Sequence, residues 1–305
     1  MVKRPSIPSH STRKGTEPMN HYDFRVPPGQ TIRLADYNPG FTGQFNEKKE
    51  AKEQLKQDLE QLRALQDVFY AQDSYALLII LQAPDAAGKD GVIKHVMSGV
   101  NPQGCQVFSF KKPSSEELDH DFLWRCMKRL PERGRFGIFN RSYYEEVLVV
   151  RVHPAILAGQ KLPPPCIGPD IWQNRFEDIN HFEKYLTRNG IVILKFFLNL
   201  SKEEQKERFM DRLDRPEKNW KFSTADSKER GYWDQYQAAY EDCFNHTSTE
   251  WAPWHIIPAD HKWFTRATIA NIIVEKLRSL NLAYPVVGEA QQQELAAART
   301  ALMNE

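Results

Sequence analysis

Five apolar runs divide the chain, at residues 76–81, 105–110, 135–139, 191–200 and 254–258. The first and fourth are almost continuous in Leu, Ile, Val and Phe, the pattern of strands buried on both faces of a parallel sheet. Between the runs, apolar residues recur every three or four positions. Residues 46–70 place Leu55, Leu59, Leu62, Leu65 and Val68 on one stripe, which predicts a long charged helix packed on the sheet. Val92, Ile93, Val96 and Met97 mark a second helix, and further helices are expected from 113 to about 130 and at 171–188, 201–214, 234–245 and 265–280. Ser114 or Ser115 would cap the third, and Ser201 with Glu204 reads as a capping box. Residues 22–42 suggest an extended arm, 147–152 an apolar continuation of the third strand, and the proline-rich 154–170 a surface loop.

Strands alternating with helices predict an α/β fold, a parallel sheet flanked by helices in three layers. Ligands of such sheets bind beyond the carboxyl ends of the strands. Asp85 to Lys89, Lys111, Asn140 to Glu145 and the residues after Leu200 all fall there.

Composition narrows the function. Lys and Arg total 41 against 40 Asp and Glu, so a basic site must be a local concentration of charge, not a nucleic-acid coat. The four cysteines form no C-x-x-C pair, and neither a zinc framework nor a disulfide pattern is expected. No apolar run approaches membrane-spanning length and the start lacks an apolar signal core, which points to the cytoplasm. Residues 1–20 read as a flexible tail, 21–285 as one domain and 286–305 as a C-terminal tail.

The first strand runs into Gln82-Ala-Pro-Asp-Ala-Ala-Gly-Lys89 and then a helix. Strand, short loop ending in Gly-Lys, helix is the arrangement of a P-loop, where backbone N–H groups and a helix N-terminus hold phosphate oxygens. Ala86, Ala87, Gly88, Lys89 and Asp90 are therefore candidate phosphate-binding residues. The motif departs from G-x-x-x-x-G-K-[ST] twice: Ala83 replaces the first Gly, and Asp90 the Mg²⁺-binding hydroxyl. Asp85, inside the loop, sits where a phosphate-bound divalent cation would meet it. After the third strand, Asn140 occupies the place of the usual metal-binding acid, with Glu145 one turn later and Arg141 offering a planar fork for phosphate. An ordinary strand-end turn would explain Asn140 and Arg141 equally well. Arg208, Arg212 and Arg215 share one helical face, followed by Lys218 and Lys221; this patch is expected to be a lid over about 205–233, the alternative being a solvated charged face.

Several segments together resemble the polyphosphate kinase 2 family. They are LQAPDAAGKDG (81–91), HVMSGVNPQG (95–104), HDFLWR (120–125), FNRSYYEEVLVVRV (139–152), ILKFFL (193–198), PEKNWKF (216–222) and TEWAPW (249–254), in order across about 22–285. The resemblance implies a P-loop kinase fold and Mg²⁺-dependent phosphoryl transfer, with Mn²⁺ as a substitute, between inorganic polyphosphate and a nucleotide. By motif it makes Asp85, Lys89 and Arg141 catalytic and Asp85 with Glu145 metal-binding. Asn140, Arg141, Tyr144 and Glu145 become nucleotide-binding, and Lys111, Arg208, Arg212, Lys218 and Lys221 polyphosphate-binding. The Asn-Arg-Ser-Tyr-Tyr-Glu pattern is similar to members acting on both AMP and ADP, and guanine nucleotides are further acceptors to test. Pro84, Glu146 and the stretch 161–169 depart from the family pattern. A homo-oligomer, dimer or tetramer, is expected, with no nucleic-acid or membrane partner. An ATP-dependent nucleoside monophosphate kinase and a non-catalytic polyphosphate-binding module are the alternatives.

Overall fold

The structure, a computed structural model, describes residues 23–43, 45 and 47–305; the N-terminal tail and the helix start expected at Asn46 lie outside them. The chain runs α1 (Lys48–Gln72), β1 (Ala76–Gln82), α2 (Lys89–Val96), β2 (Cys105–Ser109), α3 (Ser115–Leu118), α4 (Trp124–Met127) and β3 (Phe136–Asn140). It continues through α5 (Val149–Val152), α6 (Pro154–Ala158), α7 (Ile171–Arg188), β4 (Ile191–Asn199), α8 (Lys202–Asp214) and α9 (Thr224–Glu229). Last come α10 (Trp233–Thr247), β5 (Trp254–Pro258), α11 (Lys262–Arg278) and α12 (Glu289–Met303).

The strands form one parallel sheet in the order β2-β3-β1-β4-β5. β1 lies at its centre, Ile79 pairing with Ile138 on one side and Leu194 on the other. Every β1 residue is buried, because the sheet is covered on both faces. Leu77, Ile79 and Leu81 pack into one core with α1, α2 and α11, while Leu78 and Ile80 face the other, with α7 and α10. Three layers result, as the strand–helix alternation requires. The N-terminal arm docks on the β5 edge, where the Val26 N–H donates to Trp254 and the Ile256 N–H to Phe24, both at 2.8 Å.

Several local expectations change. The α1 stripe buries Ala51, Asp58, Leu62, Gln66 and Phe69, with Leu55, Leu59 and Leu65 only partly covered. The helix expected from 113 to 130 breaks into α3 and α4, because the Asp121 carboxylate accepts the Leu123 N–H at 2.9 Å and competes with helical bonding. Ser114 closes a capping box with Glu117. Ser201 caps α8, but Glu204 turns away to Arg208, so that box stays open. Residues 143–152 are helical, not extended: a 3-10 turn, Tyr143–Val147, leads into α5. No helix among the described residues is long and apolar enough to cross a membrane.

Candidate active site

The loop after β1 occupies the carboxyl edge of the central strand. Gly88 has φ +109°, a conformation L side chains rarely adopt, and starts α2 directly; Ala86 takes φ +62° without that freedom. Backbone strain of this kind, costing about 1–3 kcal/mol per residue, persists only where the surroundings enforce it. Here they do. Gln205 Nε2 donates to the Asp85 carbonyl at 3.0 Å. Arg208 Nη1 donates to the Ala86 and Ala87 carbonyls at 3.1 and 2.8 Å.

Arg141 stands across from the loop, at φ +64°. Its Nη2 donates to Asp85 Oδ1 at 2.7 Å and its Nη1 to Glu145 Oε2 at 2.9 Å. One guanidinium thus holds two carboxylates that sequence places 60 positions apart, and Glu145, then Asp85, raise its pKa further. Asn140 Nδ2 donates to Asp90 Oδ1 at 2.7 Å, tying the end of β3 to the first turn of α2. Lys89 folds inward, its Nζ donating to the Ala83 carbonyl at 3.0 Å. Burial, then the Arg141 charge, lowers its pKa to about 8.

The structure brings together Asp85 to Asp90, Asn140, Arg141 and Glu145. It does not bring Tyr144 to them. The Tyr144 side chain is fully buried beneath the sheet, donating to Glu183 at 2.8 Å and accepting from Lys195 Nζ at 2.7 Å, so it offers no surface to a nucleotide. Arg208 is likewise not a lid cation. It is buried, paired to Glu204 at 2.7 Å, and its Nη2 donates to the Ala259 and Asp260 carbonyls at 2.7 and 3.0 Å. It is a strut under the loop.

The remaining lid cations lie farther along. Arg212 Nη1 reaches the Lys221 carbonyl at 3.3 Å and Asp226 at 3.5 Å, Lys218 pairs with Asp211, and the Lys221 ammonium lies 4.9 Å from the Trp220 ring centre. Burial and then the Asp85 charge raise the Asp226 pKa. Lys111 is exposed beyond β2, its carbonyl accepting from Arg125. Glu146 is buried against Arg175 and Gln160. Gln205 and Asp226 escaped the sequence reading. A lone Gln among the charged residues that open α8 is a faint signal for the first, and none exists for the second.

A phosphate-cradling loop heading the central strand of a five-stranded parallel sheet, faced by an arginine held between two acids, defines a kinase of the P-loop class. Residues 45–284 match the sequence model of Polyphosphate kinase 2 (PPK2), and the chain belongs to that family. It is 50% identical over 281 residues to an ADP-polyphosphate phosphotransferase of Rhodopseudomonas palustris, covering 92% of this chain and 97% of that one. It is 44% identical over 263 residues to an AMP/ADP-polyphosphate phosphotransferase of Meiothermus ruber, covering 86% and 94%. The crystal structure of Polyphosphate Kinase 2 from Arthrobacter aurescens TC1 superposes with a TM-score of 0.82 at 39% identity, covering 90% of this chain and 95% of that one.

Proposed function

We propose that this protein transfers the terminal phosphoryl group of inorganic polyphosphate to AMP and ADP, with Mg²⁺ as the metal. The similarity to phosphotransferases named for these substrates supports the reading. The observation that carries it is Arg141, held between Asp85 and Glu145 at the edge of the loop.

The acceptor phosphate oxygen is ionised at neutral pH, so no general base is required. It attacks the terminal phosphorus in line, the P–O bond to the next phosphate breaks, and the shortened polyphosphate leaves with the bonding pair. The chain's task is positioning and neutralisation. Lys89 and the loop amides hold phosphate oxygens, and Arg141 meets the charge spread over the transferring group. Asp85 and Glu145 are partly exposed acids on the two prongs of one guanidinium, and one or two carboxylates plus substrate phosphates is the donor set Mg²⁺ prefers. Bound there, the metal supplies a Lewis acid for phosphate oxygens.

One assay tests the reading. AMP and ADP are each incubated with long-chain polyphosphate and Mg²⁺, and products are followed by phosphorus NMR and nucleotide chromatography. Both acceptors should gain one phosphate while the polymer shortens. Turnover of AMP with ATP but none with polyphosphate would overturn it.

A further inference from the structure

Behind the loop, between α1, α8 and α11, lies a cleft of about 300 Å³. Its charged lining is four cations, Lys48, Lys52, Lys262 and Arg266, against two acids, Glu204 and Asp260. Both acids are already engaged. Glu204 accepts from Arg208 Nε at 2.7 Å, and Asp260 Oδ1 accepts the Ser201 N–H at 2.8 Å. No short ion pair among the described residues ties these four cations down, although the Glu204 and Asp211 charges act on Lys262 from farther away. Burial, followed by the Arg208 charge, depresses the pKa of both Lys262 and Arg266, and Lys218 in the lid adds to the effect at Lys262.

The cleft is coupled to the loop by contact. The Arg208 guanidinium holds the Ala86 and Ala87 carbonyls of the loop with one nitrogen and the Ala259 and Asp260 carbonyls at the cleft with the other. Arg266 leans on the first turn of α2, its Nη2 3.4 Å from the place a Cβ at Gly91 would take. A track of cations thus runs from Lys218 through Lys262 and Arg266 to Lys48 and Lys52, skirting the phosphate site rather than entering it.

We infer that this cleft is a second phosphate-chain subsite, in which Lys48, Lys52, Lys262 and Arg266 hold phosphate groups of a polyphosphate several units away from its reacting end. This rests on the proposed polyphosphate activity and extends it. Long chains span both places, and short ones reach only the loop. Discrimination by chain length is the consequence, with the remote contacts contributing to binding and not to the chemical step.

The test compares wild type with the triple variant Lys48→Ala/Lys52→Ala/Lys262→Ala, three exposed positions whose loss leaves the core intact. With long-chain polyphosphate as donor, KM should rise about tenfold while kcat stays unchanged, as expected for a few partly screened charge contacts. The KM for tripolyphosphate should not move, and the log–log salt dependence for the long chain should become shallower, since fewer counterions are released. The corresponding triple Arg variant should retain the wild-type KM. An equal KM rise for both donor lengths, no rise for either, or a rise for AMP or ADP instead would overturn the inference. Calorimetric titration of long-chain polyphosphate and tripolyphosphate into both proteins separates the two levels of the argument. Loss of long-chain affinity in the variant supports the subsite even if wild type shows no turnover, which would sink only the activity. Equal affinities in the two proteins would sink the subsite alone.

Discussion

Asp85 makes contact with Arg141 by its side chain and with Gln205 by its carbonyl, so its two roles separate by substitution. Asp85→Asn keeps the shape and the backbone bond while removing the charge; turnover at saturating Mg²⁺ should fall about 10²–10³-fold. Near-normal turnover would show that the carboxylate is not part of the transfer site. Lys89 sets a pH limit. With its pKa lowered to about 8, a growing neutral fraction of free enzyme loses its grip on phosphate above that pH, and kcat/KM should fall about tenfold per unit. Lys89→Arg, charged at every accessible pH, should flatten that limb. Unfolding would not mimic the effect: the folded state binds fewer protons than the unfolded one between about 8 and the ordinary 10.5, so this group makes the protein more stable there as pH rises. Arg208 behaves differently from the lid cations. Arg208→Ala leaves four carbonyls and Glu204 without their donor, and should cost about 3–5 kcal/mol in urea unfolding. Lys221→Ala, on the surface, should stay within about 0.5 kcal/mol. Equal losses would mean that Arg208 is not a strut.

At the scale of elements, the segment after β3 is anchored from below. Lys195, in the middle of β4, donates to Glu183 Oε2 on α7 at 2.7 Å, to the Tyr144 hydroxyl at 2.7 Å and to the Thr247 carbonyl at the end of α10 at 2.8 Å. Tyr143 and Tyr144 both donate to Glu183 Oε1. One ion pair thus joins β4, α7, α10 and the turn that presents Arg141 and Glu145. Lys195→Met leaves Glu183 uncompensated in the core and should cost about 3–5 kcal/mol, whereas Lys195→Met/Glu183→Leu should recover much of that loss. Denaturant titration of both variants checks it; a double variant no better than the single would show that the tyrosines, not the charges, hold the network. Much of this element-level order was legible in advance. The apolar runs gave all five strands, and the Gly-Lys after the first placed the loop, because burial on a sheet leaves a local pattern. The anchor left almost none. Tyr144 and Arg208 are chemically suited to the cleft, and only contacts 39 and 121 positions away reveal that they serve the core and the loop's underside. The lone Lys195 inside the run from 191 to 200 was the one available sign, since a charge there must be paired.

Across the whole molecule, the segment from Arg215 to Tyr232 stands out as one that buries none of its residues although it lies beside the transfer site. Its 3-10 turn, Pro216–Lys221, carries Trp220, 79% exposed, with its Nε1 donating to the Glu217 carbonyl at 3.0 Å. At the other extreme, Trp254 is fully buried and serves as an internal reference. Arg212 pairs with Asp226 and Lys218 with Asp211, bonds between α8 and this segment that a phosphate polymer would compete for. If the segment folds over the donor, Trp220 moves from water to a drier setting against phosphate and backbone. Adding long-chain polyphosphate with nucleotide should therefore shift tryptophan emission to shorter wavelength and weaken quenching by iodide, and Trp220→Phe should remove most of both changes. The same variant should keep kcat within about twofold, because the indole is exposed and its hydrogen bond stays within its own turn. An emission change that survives Trp220→Phe would place the closing motion elsewhere. No change in the wild-type protein, under conditions where turnover is measured, would mean that the segment binds polymer without closing, and that water is excluded from the transfer site by the donor chain itself.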